Sequence, residues 1–142
     1  NLIVTAGGKN VAPANIELLV TREPIISQVV VVGDRRRFLT ALITLSTEEL
    51  TKMQQSGEYD GDSLADIIAS DSVQERVRAA VDRANTELAR YENIRKYHVL
   101  EQEFSIETGE MTPTMKLKRK VIEKNHADII ESFYVEEVSE LV

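Results

Sequence analysis

The pattern of apolar and polar positions divides the chain into short strands and amphipathic helices. Positions 25–32 are nearly all β-branched, Gly33-Asp34 follows, and positions 38–45 resume with an apolar residue at every second position. Two such runs around a glycine-containing turn predict a β-hairpin. Upstream, the apolar run 2–5 stops at Gly7-Gly8, which predicts a strand entering a tight turn.

Helical spacing dominates elsewhere in the first hundred residues. Pro13 suits the first turn of a helix that ends before Pro24. Ser46-Thr-Glu-Glu49 and Ser72-Val-Gln-Glu75 have the spacing of capping boxes, so each is expected to open a helix, and the second helix is expected to lie on a sheet. The polar segment 56–63 contains two glycines and is expected to form a mobile loop.

The C-terminal part adds one strand and one helix. Alternation over 96–101 predicts a strand, and 104–107 is expected to extend it across a kink. Apolar positions from Leu117 to Phe133 predict a last helix. Strands interleaved with helices indicate an α+β fold: a small mixed sheet that includes a β-hairpin, covered by amphipathic helices.

Length and charge narrow the class of protein. The chain has 142 residues, a formal charge of -7 and no cysteine. This length suits one domain, and the acidic balance argues against a nucleic-acid partner. Without cysteine there is no disulfide and no thiolate, which suits a cytoplasmic protein. No apolar run approaches the roughly 20 residues that span a bilayer.

The segment 110–120 carries a dense positive charge. Four of the five residues 116–120 are lysine or arginine. The expected helix start at Leu117 would place Lys116 on the turn before a helix N-terminus, where free backbone N–H groups and lysine can converge on phosphate or carboxylate oxygens. The alternative interpretation is a solvated basic face, and the charge run alone does not separate the two.

Other polar features have simpler interpretations. Arg35, Arg36 and Arg37 are expected at the hairpin tip, where they keep the turn hydrated and protect the sheet edge. His126 shares a helical face with apolar residues and is expected to pack rather than to catalyse, because no partner carboxylate is evident for it. The sequence has no Gly-x-x-x-x-Gly-Lys-Ser/Thr loop and no His-Glu-x-x-His motif. Neither self-contained catalysis nor a metal site is therefore expected.

Two segments resemble a known enzyme superfamily. Leu2-Ile-Val-Thr-Ala-Gly-Gly-Lys-Asn-Val-Ala-Pro-Ala-Asn-Ile-Glu17 resembles the glycine motif that follows the interdomain hinge of acyl-adenylate-forming enzymes. Thr112-Pro-Thr-Met-Lys-Leu-Lys-Arg119 resembles their C-terminal lysine motif. Both variants, and the stretch Asn85-Thr-Glu-Leu-Ala-Arg-Tyr-Glu92, are similar to the long-chain fatty acid–CoA ligase branch. The resemblance covers essentially the whole chain, with the two motifs in the expected order.

This resemblance implies a single C-terminal lid domain over 1–142, with a hinge at or just before Asn1. In that family a large N-terminal domain binds ATP, Mg²⁺ and the fatty acid, and the lid closes over it in two orientations. Lys116 matches the lysine that assists adenylation. After the lid rotates, the glycine loop reaches the site and coenzyme A accepts the acyl group. The implied partners are the N-terminal domain, fatty acid, ATP and coenzyme A.

The resemblance also assigns roles to single residues. Gly8 matches the family's loop glycine, where a missing side chain leaves room for a pantetheine thiol. Lys9 lies at a variable position and is a candidate for contacting the coenzyme A phosphates. With these two, Gly7 and Thr114 complete the implied cofactor-binding residues. Some branches carry lysine where this chain has Thr5, so no catalytic charge is assigned there.

A second hypothesis comes from a different class of protein. The chain would then be a non-catalytic interaction module whose basic patches, 35–37 and 116–120, bind an anionic membrane or an acidic partner. Peripheral membrane association is also compatible with a ligase that acts on lipids. Under the ligase hypothesis, Glu17 is expected to have a structural role.

Overall fold

The computed structural model describes residues 2–57 and 63–140. Most of the predicted loop 56–63, and the predicted hinge at Asn1, lie outside these residues. The strands are β1 (Ile3–Val4), β2 (Asn10–Val11), β3 (Ile26–Val32), β4 (Leu39–Leu45) and β5 (Ile94–Leu100). The helices are α1 (Pro13–Val20), α2 (Thr47–Ser56), α3 (Leu64–Ala69), α4 (Asp71–Thr86), α5 (Arg119–Asn125) and α6 (Ala127–Glu140).

The larger sheet has the strand order β3-β4-β5 and is mixed, as the sequence predicts. β3 and β4 form the predicted antiparallel hairpin, with Val30 opposite Leu42. β5 runs parallel to β4, with His98 beside Leu42. The parallel pairing follows from the helical crossover α2–α4, because a parallel strand cannot return through a tight turn. The predicted α+β fold is confirmed.

Helices cover both faces of this sheet, so its central strands are apolar on both sides. β4 is buried at every position. On one face α1 and α4 cover residues that include Val29, Val31, Ala41 and Ile43. On the other face α5 and α6 contribute Ile122, Ile130 and Phe133 to a second cluster with Val30, Leu42 and Leu100. Burial on two faces explains why β3 reads as a continuous apolar run rather than as strict alternation.

Serine residues cap three of the helices in the described part of the chain. Ser46 Oγ accepts a hydrogen bond from the Glu49 amide, so the predicted cap of α2 is confirmed. The predicted cap at Ser72 is wrong. The cap and the start of α4 both lie two residues earlier, and Ser70 Oγ accepts from the Val73 amide at 3.3 Å. Ser70 also ends α3, so one serine separates two consecutive helices and leaves Ser72 inside the first turn.

The first residues form a small ribbon that docks on the tip of the β3–β4 hairpin. β1 and β2 pair antiparallel, and the Val4 amide donates to Asp34 Oδ1 at 3.0 Å. The Arg35 amide donates to the Val4 carbonyl at 2.7 Å, and the Ala6 amide donates to the Arg36 carbonyl at 2.8 Å. The hairpin tip therefore has a structural role in seating the chain's start, which the sequence did not indicate.

Two predictions for the C-terminal part are wrong. Residues 104–107 do not extend β5; Phe104 is buried against the second cluster because its side chain packs inward from a loop. The predicted helix from Leu117 begins instead at Arg119 and is divided at His126 into α5 and α6. Leu117 pairs as a β-bridge with Met111, and this pairing keeps it out of the helix.

None of the helices within the described ranges has the length and apolarity needed to cross a bilayer.

Candidate functional site

Lys116 lies on a short hairpin, residues 111–117, which we call the lysine hairpin. The bridge between Met111 and Leu117 closes its base. Inside it, the Thr112 amide donates to the Lys116 carbonyl at 2.8 Å, and the Lys116 amide donates to Thr112 Oγ1 at 3.1 Å. Met115 has a positive φ of 68°, a left-handed conformation that completes the tight turn. Both the backbone of Lys116 and its place in the turn are thereby fixed.

The lysine side chain itself points into solvent. Lys116 and Thr114 are both exposed, and Thr114 Oγ1 lies 3.0 Å from Thr112 Oγ1. Within the described residues no carboxylate forms an ion pair with Lys116. The predicted placement next to a helix N-terminus is wrong, because α5 starts three residues later. The fold therefore places an exposed ammonium group, with no acidic partner among the described residues, on a hydrogen-bonded backbone.

The glycine pair forms the second predicted feature, a turn over residues 5–9 that we call the glycine turn. The Thr5 amide donates to the Lys9 carbonyl at 3.0 Å, and the Gly8 amide donates to the Thr5 carbonyl at 2.9 Å. Gly8 has a positive φ of 82°, and a Cβ added there would meet no atom within 4 Å. Gly8 is therefore required by the backbone conformation, and the space above it is open.

A basic cleft of about 320 Å³ adjoins the glycine turn, and we call it the arginine cleft. Its lining consists of Thr5, Arg37, Phe38, Leu39, Arg90, Tyr91, Asn93 and Arg95. Lys9 adds a further cation, because its Nζ lies 5.4 Å from the centroid of the Tyr91 ring. In the described part of the chain, none of the three arginines forms an ion pair with an acidic residue. This unpaired charge favours an anionic ligand.

A second cleft, of about 540 Å³, joins the lysine segment to the start of the chain. Leu117 through Val121 line one side, and Leu2, Ile3, Pro13 and Asp34 line the other. Glu123 also faces this cleft, and burial raises the pKa of the Glu123 carboxyl despite the nearby Arg119 guanidinium. Ile3 lies two residues before Thr5, so the ribbon that carries the glycine turn contributes to both clefts.

Internal ion pairs neutralise part of each basic run. Arg119 forms a two-pronged ion pair with Glu17, and Arg36 pairs with Glu131 while lying 4.6 Å from the Tyr134 ring centroid. The expected structural role of Glu17 agrees with this contact. The purely solvated face considered for 116–120 is wrong at Arg119, because only a quarter of that side chain is exposed. Less charge is thus available to an anionic membrane than the sequence indicates.

His126 has a partner carboxylate, contrary to the sequence-based expectation. Its Nε2 lies 3.0 Å from Glu110 Oε2, and Glu110 is only 5% exposed. The packed role predicted for His126 is supported by its edge contact with the Phe104 ring at 6.0 Å. The pair was missed because its members are sixteen positions apart and lie in different elements. Across the described residues, no group of three or more histidine or acidic side chains is arranged to hold a metal ion.

The fold and the two loops define the class of protein, and sequence comparison agrees. The model of the AMP-binding enzyme C-terminal domain matches residues 1–138. The chain belongs to this family, and the resemblance found in its two motifs is confirmed.

Individual relatives narrow the class further. The chain is 44% identical over 137 residues to the long-chain-fatty-acid–CoA ligase FadD15 of Mycobacterium tuberculosis, covering 96% of this chain and 23% of that protein. It is 37% identical over 154 residues to the long-chain-fatty-acid–CoA ligase ACSBG1 of Rattus norvegicus, covering 96% of this chain and 21% of that protein. The chain thus spans less than a quarter of the curated relatives it matches.

A solved structure shows the same fold. The adenylation domain of the carboxylate reductase from Mycobacterium chelonae superposes with a TM-score of 0.72 at 23% identity, over 95% of this chain and 19% of that chain. At this level of identity the likeness supports the fold alone.

Proposed function

We propose that this chain is the C-terminal mobile domain of an ATP-dependent long-chain fatty acid–CoA ligase. A hinge at or just before Asn1 would join it to a large N-terminal domain that binds ATP, Mg²⁺ and the fatty acid. The observation that carries the proposal is the exposed, unpaired Lys116 on a hydrogen-bonded hairpin, within a chain whose relatives are named as such ligases. The 142 residues alone are expected to be inactive.

In the first half-reaction, a carboxylate oxygen of the fatty acid attacks the α-phosphorus of ATP. The bond to the β,γ-phosphates breaks, which yields acyl-adenylate and pyrophosphate. Two anions must approach each other, so a cation placed between them lowers the barrier. Lys116 supplies that cation, and its flexible stem suits a group that a moving domain delivers. Thr114, exposed on the same hairpin, is a candidate hydrogen-bond donor to a phosphate oxygen.

In the second half-reaction, the thiol of coenzyme A attacks the acyl carbonyl and AMP leaves. Domain rotation would withdraw the lysine hairpin and bring the glycine turn to the reaction centre. Gly7 and Gly8 present little bulk there, which suits the passage of a narrow pantetheine chain. Lys9 and the adjacent arginine cleft supply positive charge for the coenzyme A phosphates.

The test is a separation of the two half-reactions in the full-length enzyme. Lys116→Ala is expected to slow acyl-adenylate formation by about 100-fold or more, a size typical of a lost charge contact to a transition state. Thioester formation from supplied acyl-adenylate is expected to change little. Lys124→Ala, which removes another exposed lysine, is the matched control. An equal loss in both half-reactions would remove the proposed role of Lys116.

A further inference from the structure

The lysine hairpin is tied to the body of the domain at both of its ends. Just before it, the buried Glu110 side chain accepts from Asn125 Nδ2 at 3.2 Å and contacts His126 Nε2 at 3.0 Å. The Glu110 carbonyl also accepts from the Lys118 amide at 2.8 Å. These contacts hold the base of the hairpin against the junction of α5 and α6.

The other tie is the ion pair between Arg119 and Glu17. Arg119 NH1 donates to Glu17 Oε2 at 2.7 Å, and its NH2 donates to Glu17 Oε1. Glu17 Oε2 also accepts from the Val31 amide at 2.8 Å, so the carboxylate joins α1, β3 and the start of α5. The Arg119 and Glu17 side chains are 24% and 12% exposed. A two-pronged pair that is largely shielded from water fixes orientation as well as distance.

This geometry differs from that of the exposed ion pair between Arg22 and Glu87. Those two side chains are 64% and 50% exposed and meet through one nitrogen. Pairs of that kind restrict few degrees of freedom and contribute little to stability. The Glu17–Arg119 pair, in contrast, lies three residues from Lys116 and connects it to the helix that follows the glycine turn.

We propose that Glu17 and Arg119 are positioning residues for the adenylation step, acting through Lys116. The inference rests on the proposed function of Lys116. The pair holds the C-terminal end of the lysine hairpin against α1 and β3, so that the backbone carrying the Lys116 side chain arrives in one orientation when the domain closes. A misplacement of about 1 Å can cost about 100-fold in rate, so loss of this tie is expected to have a large kinetic effect. The same tie makes the two loops move as one body.

Arg119→Ala is the diagnostic variant, because Glu17 keeps its hydrogen bond to the Val31 amide and α1 stays seated. In the full-length enzyme we expect adenylation to slow by about 10- to 100-fold, and thioester formation from supplied acyl-adenylate to change by less than about threefold. Arg119→Lys keeps the positive charge but loses the planar guanidinium that donates to both Glu17 oxygens, so an intermediate effect is expected. Glu17→Gln keeps an acceptor for Val31 and tests the carboxylate charge. Arg22→Ala is the control.

Hydrogen exchange supplies a readout that does not depend on activity. In Arg119→Ala, the amides of Thr112, Lys116 and Lys118 are expected to exchange at least about tenfold faster, while β3 and β4 amides keep their protection. Unchanged exchange in the hairpin would overturn the inference, as would equal losses in both half-reactions together with a lower melting temperature. If Lys116→Ala slows adenylation and Arg119→Ala does not, only this inference fails. If Lys116→Ala has no effect, the proposed function fails first.

Discussion

Lys9 Nζ lies 5.4 Å from the centroid of the Tyr91 ring, and this contact brings the glycine turn to the edge of the arginine cleft. The two residues are far apart in the sequence. Lys9 lies near its start, whereas Tyr91 lies in a short 3-10 turn just before β5. Since β5 pairs with β4, the turn at Arg90–Glu92 sits beside the hairpin tip on which the glycine turn docks. Charge scattered along the sequence is thereby collected on one surface.

The first prediction concerns this surface. In the full-length enzyme, Arg90→Ala is expected to raise the KM for coenzyme A by about 3- to 10-fold, because one charge-assisted hydrogen bond near solvent contributes about 1 kcal/mol. The adenylation rate is expected to stay unchanged. Steady-state kinetics with varied coenzyme A, beside separate pyrophosphate-exchange measurements, check both statements. Arg22→Ala removes an exposed arginine elsewhere and serves as the control. An unchanged KM in Arg90→Ala would exclude the cleft as the phosphate site.

The second prediction separates backbone strain from function at Gly8. Gly8 and Gly57 both have positive φ, 82° and 77°, and an added Cβ at either one meets no atom within 4 Å. Alanine is therefore expected to lower the free energy of unfolding by about 1 kcal/mol at each position. Only Gly8→Ala is expected to slow thioester formation, by about tenfold or more, because an added methyl narrows the passage for the thiol. Equal kinetics in the two variants would contradict the role of Gly8.

The third prediction concerns acid stability and the Glu23 carboxylate. Burial opposes its ionisation, but hydrogen bonds from Arg76 and from the Ile25 amide outweigh burial and lower the pKa of Glu23. A depressed pKa in the folded state contributes stability that is present above the unfolded pKa and is lost as pH falls through the folded pKa. Glu23→Gln is expected to cost about 0.5–1 kcal/mol at neutral pH and nothing at strongly acidic pH. Urea denaturation of both forms at several pH values measures this difference.

The fourth prediction concerns Glu123, whose pKa shift and effect on stability are opposite in sign to those of Glu23. Burial raises the pKa of Glu123, so its ionised form is penalised in the folded chain. The penalty is present above the raised folded pKa and disappears as pH falls below the unfolded pKa. Glu123→Gln is therefore expected to raise the melting temperature at neutral pH, with a gain that shrinks towards acidic pH. A variant that melts lower than the parent at neutral pH would show that attraction to Arg119 and Arg36 dominates instead.

Much of the fold was predictable, because its strongest signals are local. The β3–β4 hairpin follows from two β-branched runs around Gly33-Asp34, and the α1 start follows from Pro13. The exposed position of Lys116 also agrees with its polar surroundings in sequence. The error at Leu117 has a specific cause. Its apolar side chain fits a helical period, but its backbone pairs with Met111 in an antiparallel β-bridge and therefore lies outside the helix.

The sequence by itself determined the α+β class, the hairpin, and the two motifs whose family the comparisons confirm. Only the tertiary structure decided which distant side chains meet: Glu17 with Arg119, Glu110 with His126, and Lys9 with Tyr91. Local periodicity reports which face of an element is apolar, and it carries no information about which polar side chains lie opposite each other. Those pairings depend on sheet register and on helix packing, which are set by the whole core at once.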